Sequence, residues 1–223
     1  RNVKDTKLIF DTFNGKSDYT IKPIEIKNMS FGKLKEPFTT NLDPQVMEAY
    51  ENICAELKKL GAKIDEIIIP EANEKASLFP RIVGSEIISA FGIDRFKENV
   101  DEMDPITGNR AKLGLNVHSF EYISAKQRVS ELGVVVNQYF MKYDALLSPT
   151  TVMQALDVNK AEIGKELHER SLLASANTQP VNIFGICAIT FPIQKFAINQ
   201  NRDILPIGLQ IICNKNEDEK AVE

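Results

Sequence analysis

The most regular apolar pattern in the chain lies towards its C-terminal end, in two short runs rich in Ile, Phe and Thr. Residues 186–193 and 205–212 form these runs, and Gly and Pro bound them. Short runs of β-branched and aromatic residues between such boundaries are typical of buried strands. The intervening residues 194–204 are polar and rich in Asn, which predicts a surface loop. The pattern therefore predicts two neighbouring strands joined at the surface.

A helix followed by a strand is predicted earlier in the chain. Asp43 and Pro44 form a helix start, because aspartate caps free N–H groups and proline fits the first turn. Apolar residues then recur at helical spacing until Gly61, which permits the left-handed conformation that ends a helix. Ile64 and the apolar run 67–69, closed by Pro70, predict a buried strand. A strand so close to a helix favours layered α/β structure.

Weaker patterns predict the other elements. Capping residues and apolar spacing predict helices at 2–15, 74–91, 120–140 and, in a charged segment, 159–177. Short strands are predicted at 29–34 and 145–147. Residues 92–116 are charged and interrupted by glycine and proline, and no helix or strand is predicted there.

Charge and composition exclude some classes of function. The 223 residues carry a net charge of −4, so there is no basic excess to neutralise nucleic-acid phosphates. The longest apolar runs are about eight residues, far short of the roughly 20 that cross a bilayer, so no membrane association is expected. The three cysteines have no paired spacing, which predicts buried thiols in a reducing compartment. We therefore expect a cytoplasmic protein.

Four stretches occur in an order that one enzyme family shares. They are R-N-V-K-D-T-K-L-I-F-D-T-F-N-G at 1–15, the helix-then-strand unit at 43–70, Y-D-A-L-L-S-P-T at 143–150, and T-Q-P-V-N-I-F-G-I-C-A-I-T-F-P-I with L-P-I-G-L-Q-I-I at 178–212. With them the chain resembles the C-terminal half of the amidase signature hydrolases, from residue 1 to about 218. The resemblance implies an α/β fold, an α/β/α sandwich whose mixed β-sheet is covered by helices. Residues 1–223 would form a single-domain fragment of it.

The family's reaction is hydrolysis of an amide C–N bond by a serine nucleophile, with a cis-bonded second serine and a neutral lysine as base. In the family these groups lie in the N-terminal half, beside a segment such as G-G-S-S-G-G. The present chain contains no Ser-Ser and no Gly-Gly pair. None of its residues is therefore assigned a catalytic role, and the chain alone is expected to be inactive. We expect both ends to be trimmed relative to intact family members.

No separate catalytic or metal centre is predicted from the residues themselves. His118 and His168 are the only histidines, and no G-x-S-x-G turn accompanies them. Asp101, Glu102 and Asp104 lack the alternating carboxylates of a calcium loop, so we expect a solvated turn. No cofactor and no metal are expected.

Arg110 is the first candidate for substrate binding. Its place in N-R-A-K-L-G resembles that of the arginine with which glutamyl-tRNA amidotransferase A-subunits bind the substrate's α-carboxylate, a task that suits the two-pronged guanidinium. The alternative is a loop arginine paired with Asp101 or Asp104. Those A-subunits carry an acidic residue where this chain has Ser175, which argues against glutamine as the substrate.

Three further residues are candidates for the substrate pocket. Thr178 and Asn182 lie just before a predicted strand, where they either line the pocket or make structural hydrogen bonds. Tyr122, near the start of a long predicted helix, belongs either to the pocket wall or to the core. Glu86, close to an apolar helix face, is expected to be solvated or paired with a basic group.

The resemblance implies that the intact protein is an amidohydrolase acting on a small amide, with this chain supplying core strands and the substrate pocket. Two alternatives stay open: the A-subunit of a glutamyl-tRNA(Gln) amidotransferase, and a non-catalytic subunit that complements a partner. The expected partners are a small-molecule amide and the missing N-terminal half or a complementing chain.

Overall fold

The computed structural model describes residues 2–17, 19–155, 165–193 and 205–222, with the backbone alone for 165–168. Within these ranges five strands form one sheet. The strands are β1 (Ser30–Leu34), β2 (Lys63–Ile67), β3 (Ala145–Pro149), β4 (Cys187–Pro192) and β5 (Gly208–Cys213). The helices of the described ranges are α1 (Val3–Phe13), α2 (Pro44–Lys59), α3 (Lys75–Phe91), α4 (Ile93–Asn99), α5 (Pro105–Lys112), α6 (Ser119–Phe140), α7 (Lys165–Ala174), α8 (Thr178–Phe184) and α9 (Asp218–Val222).

The sheet is mixed, with β3 at its centre. β1 lies parallel to β3 on one side and β5 antiparallel on the other, and β2 and β4 form the edges of the described sheet. Every residue of β3 is buried, as expected of a central strand. β4 alternates half-buried and exposed residues. The prediction of a fully buried strand was therefore wrong for β4, because this strand lies at an edge and only one of its faces is covered.

Helices cover both faces of the sheet. Side chains alternate between the faces along a strand, so Leu146 packs with α3, α6 and α8 while Leu147 packs with α2. Tyr50 of α2 is fully buried, and its hydroxyl donates to the Leu147 carbonyl at 2.6 Å and lies 3.2 Å from that of Leu34. This mixed sheet between two helical layers confirms the predicted α/β/α fold class.

Local sequence signals account for most of the element boundaries. The Asp43 carboxylate caps α2 by accepting from the Gln45 N–H at 2.8 Å, and the chain leaves the helix at Gly61 with φ +96°. α6 begins at Ser119, one residue earlier than predicted, with His118 as its cap. The two C-terminal apolar runs are β4 and β5, and they pair directly, as predicted.

One predicted strand ends earlier than expected, and it is not buried as predicted, because β2 lies at an edge of the described sheet and its residues are exposed or half-buried. β2 ends at Ile67, whereas the sequence predicted a strand through residue 69. Ile68 is exposed and Ile69 is buried just before a short 3₁₀ helix, Pro70–Glu74. Ile69 therefore anchors a turn and not a strand.

Residues 178–184 form the helix α8, where the sequence predicted only a polar approach to the next strand. Pro180 lies in the first turn, where its missing N–H is not needed, and Gly185 ends the helix at φ +64°. Val181 and Phe184 are buried in the core. A proline near the start and a glycine just past the end are typical of a helix, and the prediction for this segment did not take them into account.

Residues 92–116, for which the sequence predicted no helix, are mostly helical. The Asp104 carboxylate caps α5 by accepting from the N–H groups of Ile106 and Thr107 at 3.1 and 3.0 Å, and Pro105 fills the first position of that helix. This is the same Asp-Pro start as in α2. Asp104 and Pro105 therefore start a helix even though the segment is highly charged.

The predicted loop 194–204 and the first part of the predicted helix 159–177 lie outside the described residues. In the part of the chain that is described, no single helix is both long and apolar enough to cross a bilayer. The consecutive segments Pro70–Phe91 and Ile93–Glu102 reach that length and hydropathy only together, with a bend of 98° between them.

Candidate functional site

A cleft of about 470 Å³ opens where β3 ends, between the sheet and α7. Segments far apart in sequence form it: the chain after β3, one face of α7, the middle of β4 and the start of β5. The residues that line the cleft are Thr150, Thr151, Met153, Gln154, Ala155, Arg170, Ser171, Ala174, Thr190, Pro206 and Gly208.

Two threonine hydroxyls and a glycine form one side of the cleft. The hydroxyls of Thr150 and Thr190 share a short hydrogen bond, and the Thr150 N–H donates to the Gly208 carbonyl at 2.9 Å. A Cβ at residue 208 would lie 2.8 and 2.9 Å from the two hydroxyl oxygens, closer than van der Waals contact allows. Glycine is therefore required at this position for the two hydroxyls to meet.

A row of polar side chains leads from this pair into the sheet. Ser148, Gln210 and Thr190 lie opposite one another across β3, β5 and β4, so their side chains share one face. Ser148 Oγ and Gln210 Oε1 are buried without a hydrogen-bond partner among the described residues. Such orphaned buried groups are uncommon in proteins, and they occur here next to a cleft.

The α7 wall of the cleft is tied to α5. Arg110 Nη2 donates to Ser171 Oγ at 3.2 Å, while Arg110 Nε is buried and has no acceptor in the described part of the chain. Lys112, on the same helix, pairs with Asp101 at 2.7 Å. The guanidinium of Arg110 therefore stands directly behind a hydroxyl of the cleft wall.

Asn177 fixes the junction of α7 and α8 to the end of β3. It is 1% exposed, and its Nδ2 donates to the carbonyls of Pro149 and Phe38 at 2.8 and 2.9 Å. Sequence reasoning missed this residue and singled out its neighbour Thr178. The signal in the sequence was an asparagine at the end of a run of small residues, where its side-chain amide can donate hydrogen bonds to two backbone carbonyls.

Lys75, at the start of α3, supports the same junction. Its ammonium group donates to the carbonyl of Ala176, just past the C-terminal end of α7. Partial burial removes water from this ammonium group, which lowers the pKa of Lys75. A lysine at a helix C-terminus satisfies a free carbonyl, so Lys75 has a structural role here.

The cysteines do not form a reactive centre. Burial raises the pKa of the Cys54 thiol to about 11 and that of Cys213 to about 12, and it also raises the pKa of Cys187. All three are free thiols, and Cys187 is only half-buried, which differs from the prediction. Within the described ranges, no three His, Cys, Asp or Glu side chains are grouped so as to hold a metal ion.

A model of the amidase family matches residues 1–222. The chain belongs to the amidase signature family. Among curated amidase-family relatives, the 2-amino-5-chloromuconic acid deaminase of Comamonas testosteroni is 28% identical over 218 residues, which cover 95% of this chain and 46% of the relative. The A-subunit of the glutamyl-tRNA(Gln) amidotransferase of Streptococcus pneumoniae (strain Hungary19A-6) is 27% identical, over 91% of this chain and 45% of the relative.

Solved structures of amidase-family proteins share the fold. The crystal structure of an amidase covers 100% of this chain with a TM-score of 0.79 at 20% identity, and 49% of that structure is matched. The A-subunit of the glutamyl-tRNA(Gln) amidotransferase from Thermotoga maritima gives a TM-score of 0.71 at 21% identity, with 99% of this chain and 49% of that structure covered. The present chain thus spans about half the length of the relatives it matches.

Arg110 is the predicted site residue that stands nearest the cleft of this amidase-family chain. It lies on α5, half-buried, and is bonded to Ser171 rather than to Asp101 or Asp104. The alternative, a pairing of Arg110 with Asp101 or Asp104, is therefore not present as a hydrogen bond. Its role in carboxylate binding stays a prediction.

The other predicted site residues do not line the cleft. Thr178 Oγ1 donates to the Ser175 carbonyl at 3.2 Å, and Asn182 is exposed on α8. The Tyr122 hydroxyl donates to Glu86 at 3.1 Å, and Lys126 also contacts Glu86 at 3.0 Å, which confirms that Glu86 is paired with a basic group. Desolvation and the Glu86 carboxylate raise the pKa of Tyr122. The proposed binding roles of these residues stay predictions.

Proposed function

We propose that this chain is the substrate-binding part of an amide hydrolase whose serine nucleophile lies outside these 223 residues. The observation that carries the proposal is the amidase-family match over residues 1–222 in a chain that covers about half of its relatives. The reaction would be hydrolysis of the C–N bond of a small amide. On this proposal the chain forms a single-domain fragment and is inactive by itself.

The cleft supports a role in substrate binding because of its size and position. A volume of about 470 Å³ suits a small molecule, and clefts at the ends of strands in α/β proteins commonly hold ligands. Arg110 would act beside the cleft as a carboxylate-binding residue, with Thr178, Asn182 and Tyr122 as further candidates. The free thiols Cys54, Cys187 and Cys213 suit a reducing compartment, and we propose the cytoplasm.

Covalent labelling tests the location of the nucleophile. The protein is purified from its native source with whatever polypeptide carries amidase activity, and is labelled with a fluorophosphonate probe that modifies activated serines. Peptide mass mapping should find the labelled serine outside these 223 residues. A labelled serine within this chain, or turnover of amides by the repurified chain alone, would contradict the proposal.

A second candidate function is that of the A-subunit of a glutamyl-tRNA(Gln) amidotransferase. The relative from Streptococcus pneumoniae and the Thermotoga maritima structure favour it. Ser175 argues against it, because a neutral hydroxyl cannot pair with the amino group of glutamine as a carboxylate does. In this structure Ser175 Oγ accepts from Gln179 Nε2 at 2.8 Å and donates to the Ser171 carbonyl at 3.2 Å.

Glutaminase measurements separate the two candidates. The A-subunit of an amidotransferase should release ammonia from glutamine and co-purify with further polypeptides. The general amidase should release ammonia from simple amides but leave glutamine nearly unchanged. Efficient glutamine hydrolysis by the native preparation would make the amidotransferase the better description.

A further inference from the structure

Two of the three cysteines face each other across neighbouring strands. Cys187 is the first residue of β4 and Cys213 is the last residue of β5, and the antiparallel register places them directly opposite. Residues paired in this way point to the same face of a sheet, and both cysteines pack into the hydrophobic cluster that contains Leu209. The fold therefore brings together two free thiols from separate strands.

The spacing of this cross-strand pair fits a disulfide bond. Directly opposite residues of antiparallel strands have Cα atoms about 4.5–5.5 Å apart, within the range of about 4.4–6.8 Å that disulfide-bonded cysteines span. Cys187 Sγ donates to the Asn214 carbonyl at 3.1 Å, so this sulfur lies beside the residue that follows Cys213. Burial raises the pKa of Cys213 to about 12, and the neighbouring Cys187 thiol contributes to the shift. The two thiols are thus close without any change of strand register.

Both cysteines lie where the β4–β5 ladder ends, so the strands can approach there with little disturbance of the sheet. Disulfide-bonded Cβ atoms are about 3.5–4.5 Å apart, slightly closer than the roughly 4.5–5.5 Å of an open cross-strand pair. β4 lies at an edge of the described sheet, and the chain enters it from Gly185, which has φ +64°. After Cys213 the chain leaves β5 into a turn at 214–217. The small approach therefore involves strand ends and not the middle of a strand.

We propose that Cys187 and Cys213 form a thiol-oxidation site, at which a peroxide converts the pair into a reversible disulfide that ties β4 to β5. The Cys187 thiolate attacks one peroxide oxygen and breaks the O–O bond, which gives a sulfenic acid and, with the proton of the thiol, one water. The Cys213 sulfur then attacks the sulfenic sulfur and forms the S–S bond. Its proton leaves with the sulfenic hydroxyl as a second water, so two thiols are oxidised while one hydrogen peroxide is reduced to two waters.

Exposure assigns the order of the two steps. Cys187 is half-buried whereas Cys213 is 1% exposed, so the peroxide reaches Cys187 first and Cys213 is the resolving thiol. Burial raises the pKa of both thiols, so little thiolate is present at neutral pH and the oxidation is slow. In a reducing compartment the pair therefore stays reduced until peroxide is present in excess.

The disulfide should stabilise the two strands that border the cleft. Thr190 of β4 and Gly208 of β5 both line the cleft, and the crosslink joins their strands at the other end of the ladder. A covalent link between residues far apart in sequence restricts the unfolded chain. Oxidation should therefore raise the urea midpoint of unfolding by about 1 M.

Peptide mass mapping of the 223-residue chain tests the oxidation site. The dilute, reduced chain is freed of reductant, treated with excess hydrogen peroxide and alkylated at its remaining thiols. We expect a peptide that links Cys187 to Cys213 within one chain, with Cys54 alkylated, and a rise in the urea midpoint that dithiothreitol reverses. A link that includes Cys54, a link between two chains, or alkylated thiols at both 187 and 213 would overturn the proposal.

Variants separate the roles of the two thiols. Cys213→Ala should leave Cys187 as a sulfenic acid, which dimedone traps, and Cys187→Ala should leave Cys213 free and abolish the midpoint shift. Cys54→Ala is the matched control, because it removes a buried thiol and should keep both the link and the shift. If circular dichroism shows that Cys213→Ala is unfolded, Cys187→Ala at the half-buried position provides the test.

A midpoint shift that persists in Cys187→Ala after peroxide treatment would contradict the assignment. None of these measurements requires amide turnover. The inference therefore stands or falls separately from the proposed function.

Discussion

The α2 face of the sheet and its cleft end differ in how their buried polar groups are hydrogen-bonded. On the α2 face, Lys33 is 5% exposed and pairs with Glu51 at 2.6 Å and with Glu66 at 3.1 Å. Burial alone would lower the pKa of Lys33, but the hydrogen bonds from its ammonium group to the two carboxylates outweigh it, and the pKa is raised. The hydroxyl of Tyr50 is likewise bonded to strand carbonyls. These hydrogen bonds stabilise the sheet and the packing of α2 against it.

At the cleft end the polar atoms are buried without such partners. Ser148 Oγ, Gln210 Oε1, Gln154 Nε2 and Asn177 Oδ1 have no hydrogen-bond partner among the described residues. An unpaired buried polar group costs folding free energy, and these four atoms lie at or near the cleft, which agrees with the binding role proposed for it. The α2 face therefore holds the sheet together, whereas the cleft end is suited to binding.

The strongest destabilisation should come from the α2 face. Tyr50→Ala removes a fully buried ring and leaves two strand carbonyls without their donor, so the free energy of unfolding should fall by about 4 kcal/mol. Urea unfolding followed by circular dichroism measures the loss. Tyr19→Ala, at an exposed position, is the control and should cost less than about 0.5 kcal/mol. A loss below about 1 kcal/mol for Tyr50→Ala would remove the contrast between the two ends.

A smaller loss is expected from adding one methyl group beside the cleft. Gly208→Ala places a Cβ against the Thr150 and Thr190 hydroxyls and should cost about 1–3 kcal/mol of unfolding free energy. Adding Thr190→Ala removes one clashing oxygen, so the double variant should recover part of the loss. Additive losses in this double-mutant cycle would show that the hydroxyl pair does not require the glycine.

Glu74 should contribute to stability only above acidic pH. Its two carboxylate oxygens accept from Arg128 at 2.8 and 2.9 Å, and these hydrogen bonds lower the pKa of Glu74. Because the pKa of Glu74 is lower in the folded than in the unfolded state, its contribution to the unfolding free energy is fully present above the unfolded-state pKa of about 4.3. This contribution is lost as pH falls through the folded-state pKa. Because the pair is partly exposed, Glu74→Gln should cost about 0.5 kcal/mol at pH 7 and less at pH 3.

Urea unfolding at several pH values checks this dependence. Glu48→Gln, at an exposed position, is the matched control and should leave the dependence of the unfolding free energy on pH unchanged in the acidic range. An identical loss at pH 3 and pH 7 for Glu74→Gln would mean that the carboxylate acts through packing and not through its charge.

The weakest change in stability is expected at the cleft end. Ser148→Ala removes a hydroxyl that has no described partner, so the unfolding free energy should change by less than about 0.5 kcal/mol in urea unfolding at pH 7. A loss above about 1 kcal/mol would show that Ser148 is bonded in solution, and the difference between the two ends would then weaken.

The sequence allowed the sheet to be predicted better than the cleft. The pairing of β4 with β5 follows from two apolar runs with glycine and proline boundaries, and the start of α2 follows from Asp43 and Pro44. The helix α8 was not predicted, because the short segment 178–184 was interpreted only as a polar approach to the next strand. The meeting of Thr150 with Thr190 depends on the register of three strands, and hydrophobic patterns do not determine which polar residues face each other across them.

Unfolding measured in urea on two variants tests the division between the α2 face and the cleft end most directly. Tyr50→Phe, on the α2 face, removes a hydroxyl that donates to a strand carbonyl and should lower the unfolding free energy by about 1–2 kcal/mol. Ser148→Ala, at the cleft end, should leave the unfolding free energy within about 0.5 kcal/mol of the parent chain. Equal losses in the two variants would contradict the account.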